Sequence, residues 1–284
     1  MEQSLIVRCL CLTVLVMACA IIPVYSAEVT VGLLAGNNKL GEVEEAAYAW
    51  AKDNFKTTTL VVDKSGNFKN EGTARQPEEF SVLWVFYTET DTLPEPFLAD
   101  ATKKAIFDYV EAGGSLFLSA LALRYVVELD VEKGGDPRVF QPLGKDPPEI
   151  GVVPTADGKN HPVFEGFDTS KPIFLTSMQQ NGFTSDFFNF GKDPEGTILG
   201  TKTRGGGAGG GERPFVEYEV SDGVLITLGH HNGVYTDAKS EEGDNLRKLT
   251  TNVLNYLGEN SAFFAVDPNS KLAITWGAIK VASK

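Results

Sequence analysis

Apolar residues recur along this chain in two alternating patterns. Residues 29–34 form a short apolar run, and residues 42–53 then carry apolar side chains at helical spacing. A short apolar run is typical of a strand buried on both faces, whereas the second pattern is typical of an amphipathic helix. The alternation continues with strands over 58–62 and 82–87 and a helix over 98–111. These residues predict the first half of an α/β domain.

The same alternation extends over the rest of the predicted domain. The further elements are a strand ending at Ser119, a helical turn over 121–129, strands over 197–201, 214–220 and 223–228, and a closing helix over 245–257. Residues 134–176 are rich in Pro, Gly and Asp and indicate loops with small strands. Strands that alternate with helices pair in parallel and are covered by helices on both faces. The predicted fold class is therefore α/β, a three-layer sandwich with a mostly parallel central sheet.

Residues 1–26 have the features of a secretory signal peptide. Arg8 precedes the apolar run 9–22, and small side chains near the end of the segment favour cleavage after Ser26. The apolar run is shorter than the ~20 residues that span a bilayer, so we expect export to the periplasm or the cell exterior without stable membrane insertion. Lipid anchoring at Cys19 is the minor alternative.

The cysteines and the charge narrow the class of protein. All three cysteines lie in the predicted signal peptide, so the exported chain depends on an apolar core rather than on disulfides. The net charge of −13 repels phosphate backbones and anionic lipids, which argues against nucleic-acid and membrane-surface binding. Three histidines without an HExxH pattern argue against a metal site. The glycine run 205–211 lacks the Lys-Ser/Thr ending of a phosphate-binding loop, so no cofactor is implied.

Polar residues stand where four of the predicted strands end. They are Asn37 and Asn38 after the first strand, Tyr87, Thr88 and Glu89 at the third, Ser119 at the fourth, and His230, His231 and Asn232 after the last. In open α/β sheets, ligands bind beyond the carboxyl ends of the strands, where such loops meet. A cluster of amides, hydroxyls, imidazoles and one carboxylate suits a small, neutral, hydroxyl-rich ligand such as a sugar.

Ser119 and His230 are the candidate catalytic residues of this cluster. An imidazole that takes the serine proton would activate Ser119 as a nucleophile. The flanking Phe117 and Leu121, however, are not the glycines of a G-x-S-x-G elbow. Because adjacent strand residues face opposite sides, only one of His230 and His231 can point to a given side. The residues leave open whether Ser119 is a nucleophile or a buried structural serine.

Three segments resemble one superfamily. They are residues 113–120 (GGSLFLSA), 161–167 (HPVFEGF) and 222–230 (DGVLITLGH). With the closing helix, they resemble the class I glutamine amidotransferase-like superfamily, in particular its trehalose-utilisation (ThuA-like) branch, over about residues 29–258. The resemblance implies a flavodoxin-like sheet, a site at the Ser119 turn and a link to carbohydrate metabolism.

The chain departs from the family pattern at the positions of the catalytic residues. Amidotransferases carry a cysteine at the elbow, where this chain has Ser119, and an H-x-E pair on the late strand, where residues 230–232 read His-His-Asn. Residues 87–89 replace the glycines that bind the oxyanion in the family. A serine hydroxyl has a far higher pKa than a thiol and requires a positioned base, so we expect no glutamine hydrolysis.

The sequence thus predicts a signal peptide over 1–26, a ThuA-like domain over 27–258 and a C-terminal tail over 259–284. The leading hypothesis is an exported domain that binds a small polar ligand, such as a carbohydrate, without amidotransferase activity. The alternatives are a serine- or histidine-dependent hydrolase or sugar-modifying enzyme, and a non-catalytic scaffolding module. The tail carries several large apolar residues and either packs back on the domain or binds a protein partner.

Overall fold

The computed structural model describes residues 28–37, 39–133, 137–140, 150–176, 183–188, 193–204, 211–229, 235 and 240–264. The predicted signal peptide lies outside these residues, as do Asn38, the segment 230–232 and residues 265–284 of the predicted tail. Glu28–Ala265 is one compact unit of the chain.

Strands and helices alternate through the first half of the domain, and strands dominate the second half. The strands are β1 (Thr30–Ala35), β2 (Lys56–Val62), β3 (Phe68–Asn70), β4 (Thr73–Arg75), β5 (Val82–Tyr87), β6 (Ser115–Ala120), β7 (Arg138–Phe140), β8 (Ile150–Pro154), β9 (Ile173–Thr176), β10 (Thr184–Phe188), β11 (Thr197–Arg204), β12 (Glu212–Arg213), β13 (Phe215–Val220) and β14 (Gly223–Leu228). The α-helices are α1 (Glu42–Asn54), α2 (Glu95–Leu98), α3 (Asp100–Glu111), α4 (Tyr125–Glu128) and α5 (Glu241–Asn260).

Eleven of the described strands form one sheet, in the order β4-β3-β2-β1-β5-β6-β14-β13-β11-β8-β9. The five strands from β2 to β14 in this order pair in parallel, and the strands outside them pair in antiparallel fashion. A second sheet has the order β12-β10-β7. The predicted α/β class with a parallel central sheet is therefore confirmed, and antiparallel strands extend the sheet on both sides.

The sheet separates two apolar layers. On one face, buried residues of α1 and α5 pack with Leu33 and Trp84. On the other face, buried residues of α3 pack with Leu34 and Leu83. Leu33 and Leu34 are neighbours on β1 and face opposite layers, because successive side chains of a strand alternate between its faces. The central strands are therefore apolar on both sides, as parallel strands covered by two helix layers must be.

Helix α5 begins four residues earlier than the apolar pattern predicts. Ser240 caps it, with its Oγ accepting a hydrogen bond from the amide of Gly243 at 3.0 Å. The first turn is polar and exposed at Glu241, so helical spacing of apolar residues cannot show it. Among the described helices, none is long and apolar enough to cross a membrane.

The hairpin of β3 and β4 is an element that the apolar pattern does not predict. Its two-residue turn consists of Glu71 and Gly72, both with positive φ, between the paired residues Asn70 and Thr73. These strands are short and mostly exposed, so they carry no alternating apolar signal.

The first residues of the predicted tail pack back on the domain. The amide of Ala262 donates a hydrogen bond to the carbonyl of Gly113 at 2.8 Å, and the ring of Phe263 stacks on Tyr109 with centroids 5.4 Å apart. This part of the tail, as far as residue 264, therefore packs against the core of the domain.

Candidate functional site

The carboxyl ends of four parallel strands lie next to one another. The order β1-β5-β6-β14 is continuous in the sheet, and each pair in it is parallel. The loops that follow these strands therefore leave the sheet at one edge, here called the rim. Asn37, Thr88, Glu89 and the turn at Ser119 belong to the rim.

Ser119 is fully buried, and its hydroxyl is engaged inside the domain. Its Oγ accepts a hydrogen bond from Nε1 of Trp84 at 2.7 Å and donates to the carbonyl of Val85 at 3.4 Å. Ser119 shares a face of β6 with Phe117, whose ring stacks on Trp84. The hydroxyl therefore satisfies a buried indole and lies within the aromatic layer under α1 and α5.

The strained residue of the turn after β6 is Ala120, one position beyond Ser119. Its backbone angles are φ 56° and ψ −127°, and a 3₁₀ turn, Leu121–Arg124, follows directly. A sharp, strained turn from strand to helix is the geometry that presents a nucleophile in elbow-type active sites. At this position the chain carries a fully buried methyl group. The turn therefore has the shape of an elbow without a nucleophile on its strained residue.

A carboxyl group that the sequence analysis did not select connects two of the rim loops. Glu44, in the first turn of α1, is only 2% exposed. Its Oε2 accepts a hydrogen bond from the amide of Gly41 and its Oε1 accepts one from the amide of Thr88, both at 2.8 Å. One side chain therefore holds the loop before α1 to the end of β5.

Burial raises the pKa of Glu44 from 4.5 to about 7, against the two amide hydrogen bonds, which lower it. The carboxylate of Glu89 adds to the rise through charge repulsion. Glu44 therefore exchanges a proton near neutral pH. A glutamate three residues after Gly41 is a local signal for a helix cap, but no local pattern indicates the contact with Thr88, 44 residues away.

The rim is closely packed between β1 and β5. Gly36 lies against Pro94, and Gly41 lies against the carboxylate of Glu89, so that a β-carbon at either glycine would overlap its neighbour. The predicted binding residue Glu89 thus approaches the backbone of the first loop. These contacts leave little room for a ligand at the point where the strand order reverses.

Phe183 and the strand β10 cover the rim at the ends of β5 and β14. The amide of Phe183 donates a hydrogen bond to the carbonyl of Thr88 at 2.7 Å, and the amide of Ser185 donates to the carbonyl of Gly229 at 3.2 Å. The ends of β5 and β14 are therefore bonded to backbone of the same chain. Sequence reasoning missed this cover, because residues 183–188 gave no strand signal.

Asn37 opens to a groove beside β2. It is exposed, and its Oδ1 accepts a hydrogen bond from the amide of Lys39 at 2.7 Å. The groove has a volume of about 480 Å³ and is lined by Asn37, Leu40, Lys52, Thr57, Thr58, Thr59, Val61, Asn70 and Glu71. Three threonines, two asparagines and one residue of each charge line this space, and these residue types can form hydrogen bonds to a polar molecule.

Tyr87 and His161 form polar contacts with residues outside the predicted site. The Tyr87 hydroxyl shares a hydrogen bond with Thr90 at 3.0 Å, and burial raises the pKa of Tyr87. His161 Nε2 lies 3.3 Å from the carboxylate of Glu217, which also accepts a hydrogen bond from Tyr256 at 2.7 Å. His161 therefore helps to join the turn at 162–164 to α5, as a structural residue would.

The predicted site residues that the structure describes thus share one rim but have separate surroundings. Thr88 and Glu89 lie near Glu44, whereas Ser119 is buried with Trp84 and Asn37 faces the β2 side. In the part of the chain that the structure describes, no group of three His, Cys, Asp or Glu side chains is placed to hold a metal ion.

No protein-family model matches the chain, and no curated protein sequence does. Two of the solved structures that are similar in fold have TM-scores of at least 0.50. PurLQS from Thermotoga maritima has a TM-score of 0.52 at 12% identity over 81% of this chain and 99% of its own. A β-galactosidase from Bacillus circulans sp. alkalophilus has a TM-score of 0.50 at 11% identity over 82% of this chain but only 31% of its own length. At these identities the likeness shows the fold alone, an α/β domain with a mostly parallel central sheet.

Proposed function

We propose that this chain is an exported, ThuA-like domain that binds a small polar ligand, such as a carbohydrate, and has no glutamine amidotransferase activity. The observation that carries the proposal is the turn after β6. Its strained residue, Ala120, offers a methyl group, and the adjacent Ser119 hydroxyl is bonded to Trp84. A buried hydroxyl that satisfies an indole lacks the access to substrate that a nucleophile requires.

The polar groove beside Asn37 supports the binding part of the proposal. Its volume of about 480 Å³ lies within the range of about 300–1,000 Å³ typical of small-molecule sites. The fold likeness to a β-galactosidase supports a carbohydrate as the ligand, although the match spans less than a third of that enzyme. We retain Tyr87, Thr88, Glu89 and the segment 230–232 as candidate contacts along the rim.

Export is the part of the proposal that rests on sequence alone. Residues 1–26 carry the signal-peptide pattern, and cleavage after Ser26 would release a chain without cysteines. Amino-terminal sequencing of the protein from a secreting host tests this part, and an amino terminus at Ala27 is the expected result.

Thermal denaturation with a panel of neutral sugars, together with a glutamine hydrolysis assay, tests the function. A ligand that binds only the folded state raises the melting temperature by mass action, so at least one sugar at millimolar concentration should do so. Ammonia should not be released from glutamine. The absence of any shift across the panel would contradict ligand binding. Labelling by a fluorophosphonate that disappears in Ser119→Ala would favour the hydrolase alternative instead.

A further inference from the structure

We infer that the ligand site is the groove between α1 and the edge of β2, here called the β2 groove, and that it takes a neutral polyhydroxy compound. The inference rests on the proposed function, because it locates the binding site of the proposed ligand. It differs from the rim site expected of an open α/β sheet, because the described rim is closed by Glu44, Glu89 and β10.

Two hydroxyl groups of the β2 groove have unused hydrogen-bonding capacity. Thr57 and Thr59 lie on the same face of β2, and both line the groove. Within the described residues, neither Oγ1 has a hydrogen-bond partner, and both are shielded from solvent. A buried hydroxyl without a partner is unfavourable, so a molecule that supplies one is bound more tightly.

A change of side-chain rotamer would bring these hydroxyls to the groove. Threonine carries its hydroxyl on a carbon that can rotate about χ1, and a change between staggered positions moves the hydroxyl to another side of that carbon without moving the backbone. Each threonine would then present a donor and an acceptor to a ligand hydroxyl. The floor of the β2 groove can therefore hold two ligand hydroxyls.

The backbone of β2 adds further polar groups. In the described sheet, β3 pairs with β2 only at Val61 and Val62, so the preceding stretch of β2 has no ladder partner on that side. At this edge, Nδ2 of Asn70 donates a hydrogen bond to the carbonyl of Thr59 at 2.9 Å. The groove thus combines side-chain and backbone groups of both donor and acceptor type.

The charges of the β2 groove favour a neutral ligand. Lys52 and Glu71 bring one charge of each sign to the lining, and the chain as a whole carries −13. The net negative charge of the protein would repel an anionic ligand, and the positive charge of Lys52 would repel a cationic ligand in the groove. Hydroxyl and amide groups make up most of the polar lining, which matches the hydroxyl groups of a polyol.

The position of Glu71 gives separate support. It has φ 48° in the two-residue turn of a hairpin, where glycine, asparagine and aspartate are favoured. A glutamate in this conformation is strained, and strain that persists is characteristic of functional positions. Here the strained residue lines the β2 groove.

Calorimetric titration tests the inference with glucose, maltose and sorbitol as neutral probes and with glucose 6-phosphate and glucosamine as charged analogues. At least one neutral probe should bind better than the charged analogues. The double variant Thr57→Val/Thr59→Val should raise the Kd of that probe about tenfold or more, because two hydrogen bonds are lost. It should also raise the melting temperature of the free protein, because two unpaired hydroxyls are removed.

Thr197→Val is the matched control, since Thr197 is an exposed strand residue on β11, far from β2 in the sheet order. It should leave the Kd unchanged. If the wild-type protein binds no neutral probe, the proposed function and this inference fail together. If it binds one and the double variant binds it equally well, the proposed function stands and the β2 groove is not the site. Preferential binding of a charged analogue would overturn the neutral ligand class.

Discussion

Replacing Glu44 by glutamine should remove a large part of the pH dependence of stability between about pH 4.5 and 7. The pKa of Glu44 is about 7 in the folded protein, compared with an ordinary value of 4.5. The folded state therefore holds the proton more tightly than the unfolded state does. The resulting stabilisation is complete below pH 4.5 and is lost as the pH rises through 7. At about 1.4 kcal/mol per pKa unit, the loss amounts to about 3 kcal/mol.

Urea denaturation at several pH values from about 5 to about 8 measures this effect as the free energy of unfolding. Glutamine does not titrate, and its side chain has one acceptor oxygen where Glu44 bonds the two amides of Gly41 and Thr88. Compared with the wild type in which Glu44 is protonated, the variant therefore lacks one hydrogen bond, which costs about 1 kcal/mol. It should be less stable than the wild type at the acidic end and more stable at the alkaline end, so the two curves should cross.

Glu45→Gln is the control for this experiment. Glu45 is exposed in the same turn of α1, so the change of formal charge is identical while no buried group is altered. Its stability curve should run parallel to that of the wild type. Asp168, whose pKa hydrogen bonds lower, titrates at still more acidic pH and does not disturb the comparison. Parallel curves for the wild type and Glu44→Gln would refute the buried, proton-binding role of Glu44.

Three further changes test the strained turns and the buried serine. Glu71→Asn should raise the free energy of unfolding by about 0.5–1 kcal/mol, because asparagine tolerates positive φ better; an unchanged urea midpoint would contradict strain there. Ala120→Val should destabilise the protein by about 3 kcal/mol or more, since a β-branched residue at φ 56° is a genuine outlier, whereas Ala120→Gly should change stability by about 1 kcal/mol at most. Ser119→Ala should cost about 1–3 kcal/mol in thermal or urea denaturation, and clearly less in a Trp84→Phe background, because the unsatisfied indole is then gone.

The spacing of apolar residues predicted the strands and helices in which such residues recur regularly. The central strands and α1, α3 and α5 all carry such patterns. The hairpin of β3 and β4 and the small sheet of β7, β10 and β12 were missed, because their strands are short. The positions of β7, β10 and β12 depend on pairing between residues far apart in the sequence, which local spacing does not encode.

The rim could be predicted, but the surroundings of its residues could not. Parallel strands imply a common edge for the loops that bear Asn37, Thr88 and Ser119. Whether a side chain at that edge reaches a cavity depends on its face of the strand and on the segments that cross it. Ser119 faces Trp84, and β10 covers the end of β5. Both are tertiary contacts between residues far apart in sequence.

The closed rim and the open β2 edge have related physical causes. At the rim, the carbonyls of Thr88 and Gly229 would be unpaired in a buried setting, and the amides of Phe183 and Ser185 satisfy them. At the edge of β2, the pairing with β3 is limited to two residues, and threonines of the preceding stretch line the groove instead. A ligand at the rim would have to displace internal hydrogen bonds, whereas a ligand in the β2 groove would complete bonds that Thr57 and Thr59 lack. The second event costs less free energy, which is why the β2 groove rather than the rim is the place to test first.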